Sequence, residues 1–254
     1  MAKEDSVITY AGLHPNYEEE IKYFEEKKVY TVQIESTSAC PQSCLYCYAS
    51  NKGATHTEIP KKKVIEILDS AARMEVRAID WLGGDPLIRE DWYELMKYAK
   101  DLGLRNNIWT SGIPLNDLEV AKKAVEVTGS GFISVHLDSL DETIYSKVHS
   151  GDPKKNIEEI LKGIDNVLSL GKSPNELINC ITYSKPLAGD DVDKTIKYFF
   201  EEKGIRTCLT LMCDVGSAKE HKDWQPSAQD IKNAYCTRDD VNYSNSEHSI
   251  STMD

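Results

Sequence analysis

Three cysteines fall within the short run Cys40-Pro-Gln-Ser-Cys44-Leu-Tyr-Cys47. Three thiolates this close can hold three corners of an iron–sulfur cluster and leave one iron open to a substrate or cofactor. A structural zinc site would close its fourth corner, and His56 is the side chain that could do so here. Unligated buried thiols are the third option. Convergence of three side chains on one small volume needs a loop, and Pro41 stiffens its first turn.

The elements that would position this loop read clearly. An apolar run, Tyr30–Glu35, precedes it, and further strand-like runs lie at Ala78–Leu82, Arg105–Thr110, Gly131–Leu137, Leu177–Thr182 and Thr207–Met212. Between them apolar residues recur at helical spacing: Val64, Ile65, Leu68 and Ala71; Trp92, Leu95, Met96 and Ala99; Ile157, Ile160, Leu161 and Ile164; Val192, Ile196, Phe199 and Phe200. Alternation of this kind predicts parallel strands joined by crossover helices. Six strand candidates are too few for an eight-unit barrel. The fold class expected is α/β, as an open parallel sheet or a partial (βα)6 barrel. Residues 1–29 are acidic and partly helical and form an N-terminal capping segment. Residues 30–236 form the core domain, and 237–254 read as a flexible polar tail.

Two further segments carry chemistry. Gly83-Gly84-Asp85-Pro86 ends the second strand, where paired glycines let a ligand come close to the backbone. On the fourth strand Ser134, His136 and Asp138 share one face, while Val135 and Leu137 share the other. A polar face inside a barrel is costly unless it meets a ligand.

Together these features resemble the radical S-adenosylmethionine (SAM) superfamily, whose cluster motif is Cys-x3-Cys-x-aromatic-Cys and whose SAM motif is Gly-Gly-Glu-Pro. Tyr46 stands at the aromatic position, and Asp85 replaces the usual glutamate. The resemblance covers about residues 30–216. It is nearest the branch with the molybdenum-cofactor GTP cyclase, the PqqE-like enzymes and the SPASM-domain proteins. It implies a 4Fe-4S cluster on Cys40, Cys44 and Cys47, and SAM held near Gly83, Gly84 and Asp85. It also implies SAM contacts from Tyr46, Ser111, Ser134, His136, Asn179 and Met212. The activity implied is reductive cleavage of SAM to a 5′-deoxyadenosyl radical, which abstracts hydrogen from a peptide or small-molecule substrate. A ferredoxin or flavodoxin would supply electrons, in an anaerobic setting. The competing expectation is a non-catalytic iron–sulfur or zinc binding or assembly protein on the same scaffold.

Composition sets the outer limits. The chain has 254 residues, 40% of them hydrophobic, which suits one globular core. Its 42 acidic and 30 basic residues give a net charge of −12, which argues against a nucleic-acid partner. No apolar run is long enough for a membrane span, and the N-terminus has no apolar signal segment, so a cytoplasmic protein is expected. The seven cysteines are then better read as thiols or metal ligands than as disulfides. Cys180, Cys208, Cys213 and Cys236 form no compact motif. A second cluster would need Cys208, Cys213 and Cys236 to converge, although Cys208 and Cys213 point opposite ways on one extended strand.

Overall fold

The computed structural model describes residues 17–49 and 57–242. Residues 1–16 of the expected cap, His56, and residues 243–254 of the expected tail lie outside them.

Six parallel strands form one sheet in sequence order: β1 (Thr31–Thr37), β2 (Ala78–Gly83), β3 (Arg105–Thr110), β4 (Ile133–His136), β5 (Leu177–Tyr183) and β6 (Arg206–Leu211). β1 and β6 do not pair, so the curved sheet stays open, as a partial barrel. Eight α-helices accompany the strands among the described residues: α1 (Tyr17–Glu25), α2 (Lys61–Arg73), α3 (Trp92–Asp101), α4 (Leu118–Thr128), α5 (Glu142–Val148), α6 (Pro153–Ser169), α7 (Asp190–Lys203) and α8 (Ala228–Asn242).

Strand register explains the layering. Ile34, Trp81, Ile108, Ile133 and Leu177 are successive register partners from β1 to β5. All five are buried against the helices in one apolar core with Val64, Leu68, Leu95, Met96 and Ile160. Burial of each such side chain contributes roughly 1.5–3 kcal/mol. With that parity fixed, the alternate residues must face the concave side. There Trp109, Ser134 and Ile178 lie in one row, and His136, Cys180 and Cys208 in the next.

Three helices, α4, α5 and α8, are not among those the sequence pattern gives. α4 was not expected; its N-terminus is capped by the Asp117 side chain, which accepts from the backbone N–H groups of Glu119 and Val120. α8 runs through residues 237–242, which the sequence reading gave to the tail. It lies along the open edge of β6: Asn242 accepts from Thr207 N–H (3.2 Å) and donates to Thr207 C=O (2.9 Å), and Tyr235 donates to Leu209 C=O (3.0 Å). Beside these polar contacts, Ile231, Ala234, Tyr235 and Val241 pack against the apolar cluster of Ile181, Leu209 and Met212, a thin apolar face in a largely polar helix. No helix among the described residues is long and apolar enough to cross a membrane.

Candidate cofactor site

The loop after β1 carries Cys40, Cys44 and Cys47, all free and half-buried. The thiols of Cys40 and Cys44 both point at one acceptor, the Gln42 carbonyl, at 3.7 and 3.4 Å. All three cysteines line one cavity of about 460 Å³ at the C-terminal ends of the strands. Burial first, then the Asp85 charge, pushes the Cys40 thiol up to about 12. Burial and the neighbouring Cys40 and Asp138 charges push Cys44 well above the ordinary thiol range. Three thiols that converge on one cavity in a short loop are the donor set an iron–sulfur cluster takes, so the residues here fit one.

The loop is held from three sides. Leu45 N–H donates to Val148 C=O (2.9 Å), Ser150 N–H donates to Ser43 C=O (3.0 Å), and Cys44 and His149 form an antiparallel bridge. Ser217 N–H donates to Cys47 C=O (2.9 Å). Beside it Gly216 has φ +59, and a Cβ there would lie 2.1 Å from the Tyr48 carbonyl. From the β2 side, Gly84 N–H donates to Thr37 C=O and Asp85 N–H to Ala39 C=O, both at 2.6 Å. A Cβ on Gly83 or Gly84 would lie 2.2 Å from the Thr37 carbonyl or 1.9 Å from the Ala39 carbonyl. These glycines line the cavity, but the backbone that approaches them most closely is the cysteine loop itself.

Asp85 does not line the cavity. It is fully buried and accepts four hydrogen bonds: from Leu87 N–H (3.0 Å), Thr110 Oγ1 (2.8 Å), Ser111 N–H (2.9 Å) and Ser111 Oγ (2.6 Å). Burial pushes its pKa up, opposed by these bonds. It ties the end of β2 to the end of β3.

Tyr46 lines the cavity, with its hydroxyl turned to a buried polar cluster. Its hydroxyl donates to Asp138 and accepts from His136 Nε2 at 2.6 Å. Asp138, fully buried, also accepts from His149 Nε2 (2.8 Å) and Thr182 N–H (2.8 Å). Burial alone would raise Asp138; the charge and hydrogen bonds of His136 and the hydrogen bond of His149 outweigh it and hold the carboxyl well below the usual range. His136 lines the cavity, and its carbonyl accepts from Gln42 Nε2 at 2.9 Å.

Ser111, Ser134 and His136 line the cavity with the three cysteines and the two glycines. Ser134 Oγ and the neighbouring Trp109 Nε1 are buried without a hydrogen-bond partner among the described residues. Asn179 and Met212 are not among the lining residues. Asn179 has the parity of the helix-facing residues; its side chain accepts from Leu137 N–H (3.2 Å) and donates to Leu137 C=O (3.1 Å), spending both ends on the backbone. Met212 is buried in a second apolar cluster with Tyr46, Ile181 and Tyr183. Sequence reading missed Gln42, His149 and Gly216, which act across the chain and carry no local pattern. Cys213 lines the cavity rim, whereas Cys236 is exposed on α8 and does not line it.

Comparison with known proteins gives this arrangement a family. The chain is 28% identical over 208 residues to a probable GTP 3′,8-cyclase of Methanocella arvoryzae, covering 81% of this chain and 64% of that one. A probable GTP 3′,8-cyclase of Methanosarcina acetivorans is 31% identical over 156 residues, covering 59% and 45%. The chain thus spans about half to two thirds of the length of these curated relatives. Among solved structures, Streptococcus suis SuiB bound to S-adenosylmethionine superposes with a TM-score of 0.65 at 18% identity, over 87% of this chain and 50% of that one. The FeFe-hydrogenase maturase HydG from Carboxydothermus hydrogenoformans gives 0.61 at 15%, over 88% and 54%. These two show the shared fold. The profile of the Radical SAM superfamily matches residues 34–199, and the chain belongs to that superfamily, a class of enzymes whose cofactors are a 4Fe-4S cluster and S-adenosylmethionine.

Proposed function

We propose that Cys40, Cys44 and Cys47 hold the 4Fe-4S cluster and that the cavity beside them takes SAM and a peptide or small-molecule substrate. The observation that carries this is the convergence of the three thiols on one cavity that Gly83, Gly84, Ser111 and His136 also line.

When bound, the cluster and SAM supply a 5′-deoxyadenosyl radical that abstracts hydrogen from the substrate. The chain's own work is positional. Gly83 and Gly84 let the cysteine loop settle against β2, and Asp85 locks β2 to β3. Asp138 fixes Tyr46 and His149, and so the far side of the loop. Ser111 and His136 offer hydrogen bonds to the polar groups of SAM. The strand walls keep water from the reacting centre. Electrons come from a ferredoxin or flavodoxin, and the protein works in an anaerobic cytoplasm.

The substrate is a peptide side chain or a small molecule. SuiB has been solved with its precursor peptide SuiA, and the curated relatives are named for GTP. The described residues lining the cavity include no Lys or Arg, so a triphosphate would need counter-charges from elsewhere.

A second reading rests on Cys44, His136 and His149, whose ligand atoms lie within 4.8 Å of one another. That set could hold zinc in a non-catalytic binding or assembly protein. Cys44 cannot serve both sites, so metal analysis separates them. Anaerobic reconstitution with iron and sulfide, followed by SAM and dithionite, tests the first reading. The expected result is 5′-deoxyadenosine that disappears in a Cys40/Cys44/Cys47 triple-alanine variant. Zinc without iron, or a loaded cluster that never cleaves SAM even with candidate substrates present, would move the assignment to the second.

A further inference from the structure

Two cysteines with no shared motif in the sequence meet in the fold. Cys180 on β5 and Cys208 on β6 are register partners. Neighbouring strands stand about 4.8 Å apart, inside the roughly 4.4–6.8 Å of Cα separation that disulfides span. Both thiols are free and buried. Both lie on the concave side of the sheet: Cys180 lines the cavity, and Cys208 packs beside it against Phe132 and Ile178. Cys180 is also the register partner of His136.

We propose that Cys180 and Cys208 form a redox-active dithiol in the cavity wall, closing to a disulfide when a small disulfide enters from the cavity. A lone buried cysteine is an apolar filler. Two in register on a rigid sheet are held at bonding separation, so closing the bond needs little backbone movement. Their chemistry is divided by position. Cys180, on the cavity face, meets the incoming disulfide. Cys208, behind it, resolves. The hydrogen bond the two thiols share, with burial, pushes Cys180 up, and the same bond pulls Cys208 down, so the division of roles rests on position: Cys180 is the one that lines the cavity.

The step balances. Cys180 gives up its proton, and its sulfur attacks one sulfur of R–S–S–R, expelling RS⁻, which takes up a proton. Cys208, likewise deprotonated, attacks the Cys180 sulfur of the mixed disulfide and expels the second RS⁻. Two protein thiols lose two electrons and two protons, and one small disulfide becomes two thiols. The site adds a two-electron couple beside the centre of one-electron chemistry, built from sulfurs other than those of the cysteine loop.

The test uses the full chain, reconstituted anaerobically with iron and sulfide, then exposed to 2-hydroxyethyl disulfide. After denaturation and alkylation with N-ethylmaleimide, peptide mass spectrometry should find Cys180 joined to Cys208. Cys208→Ser should leave Cys180 trapped as the mixed disulfide with 2-mercaptoethanol. Cys180→Ser should leave Cys208 at least tenfold less reactive than Cys180 is in the wild type. The same pair should close in the Cys40/Cys44/Cys47 triple-alanine variant, which keeps this result separate from the cluster assignment. Recovery of both residues as alkylated thiols in the wild type, or an unmodified Cys180 in Cys208→Ser, would overturn the proposal.

Discussion

Replacement of Asp85 separates two ways in which a carboxylate at the end of β2 could matter. Its four donors are two hydroxyls, which can rotate toward other acceptors, and two backbone N–H groups, Leu87 and Ser111, which cannot. Each buried backbone donor left unpaired costs about 1–3 kcal/mol. Asp85→Ala orphans both, for about 2–6 kcal/mol from the two of them. Asp85→Asn can keep its amide oxygen on Thr110 and Ser111 and present its NH2 to Leu87 N–H, orphaning one donor, for about 1–3 kcal/mol. Charge adds little to this difference. The raised pKa means that the fold holds the ionised carboxylate less readily than water does, so losing the charge costs no stability in itself. At about 2–4 °C per kcal/mol for a chain approaching this size, the alanine variant should melt about 4–24 °C lower and the asparagine variant about 2–12 °C lower. Differential scanning fluorimetry of the two variants beside the wild type, with SAM affinity by calorimetry, reads both effects. If Asp85 acts only through the backbone, Asp85→Asn keeps SAM affinity within about threefold, a change of less than 1 kcal/mol. An asparagine variant that melts like the wild type yet binds SAM tenfold worse would refute the reasoning and make the carboxylate a direct ligand contact.

Three further outcomes are expected. Cys44→Ala should remove iron and sulfide from the reconstituted protein; wild-type iron content would refute the ligand assignment. Gly84→Ala places a Cβ 1.9 Å from the Ala39 carbonyl, so the cysteine loop must shift, and iron retention should fall before global stability does; unchanged iron loading by colorimetric assay would count against that coupling. Asp138→Asn should destabilise the protein at pH 7. Because the Asp138 pKa is depressed in the fold, its contribution is present above the ordinary carboxylate range of about 4 and is lost as the pH falls through and below it. The gap between the urea midpoints of wild type and variant should therefore hold from pH 7 to about pH 5 and narrow as the pH falls below about 4, and a gap that does not narrow there would show that ionisation plays no part.

Much of the fold was legible because its cause is local. Ala78–Gly83 and Arg105–Thr110 are runs of strand-forming residues bounded by turn signals, and they lie where the sequence put them. The cysteine loop was legible because ligand spacing is itself local. Side-chain direction was only partly so. Parity places Ser134 and His136 on the cavity face, yet the same rule, applied from Ile178 and Cys180, turns Asn179 toward the helices. Family resemblance pulled that assignment the wrong way round the strand. Cys180 and Cys208, 28 residues apart, are brought together only by the completed sheet, and Asp138 and His149, though eleven residues apart, meet only once α5 folds back between them. α8 was missed in part because its apolar face is thin, Ile231, Ala234, Tyr235 and Val241 among polar residues, and hydrogen bonds supply the rest of its hold on β6.

That last contact has a consequence for how the molecule behaves among its copies. An open sheet ends in a strand whose N–H and C=O groups are a template for another strand, and such edges invite association. Here the groups of Thr207 and Leu209 are already taken by Asn242 and Tyr235 of α8. The helix acts as a stopper on sheet growth. Shortening the chain within α8 would strip those caps from β6 and leave its edge free to recruit the same edge of a second molecule. The failure would be ordered strand-to-strand pairing rather than general stickiness.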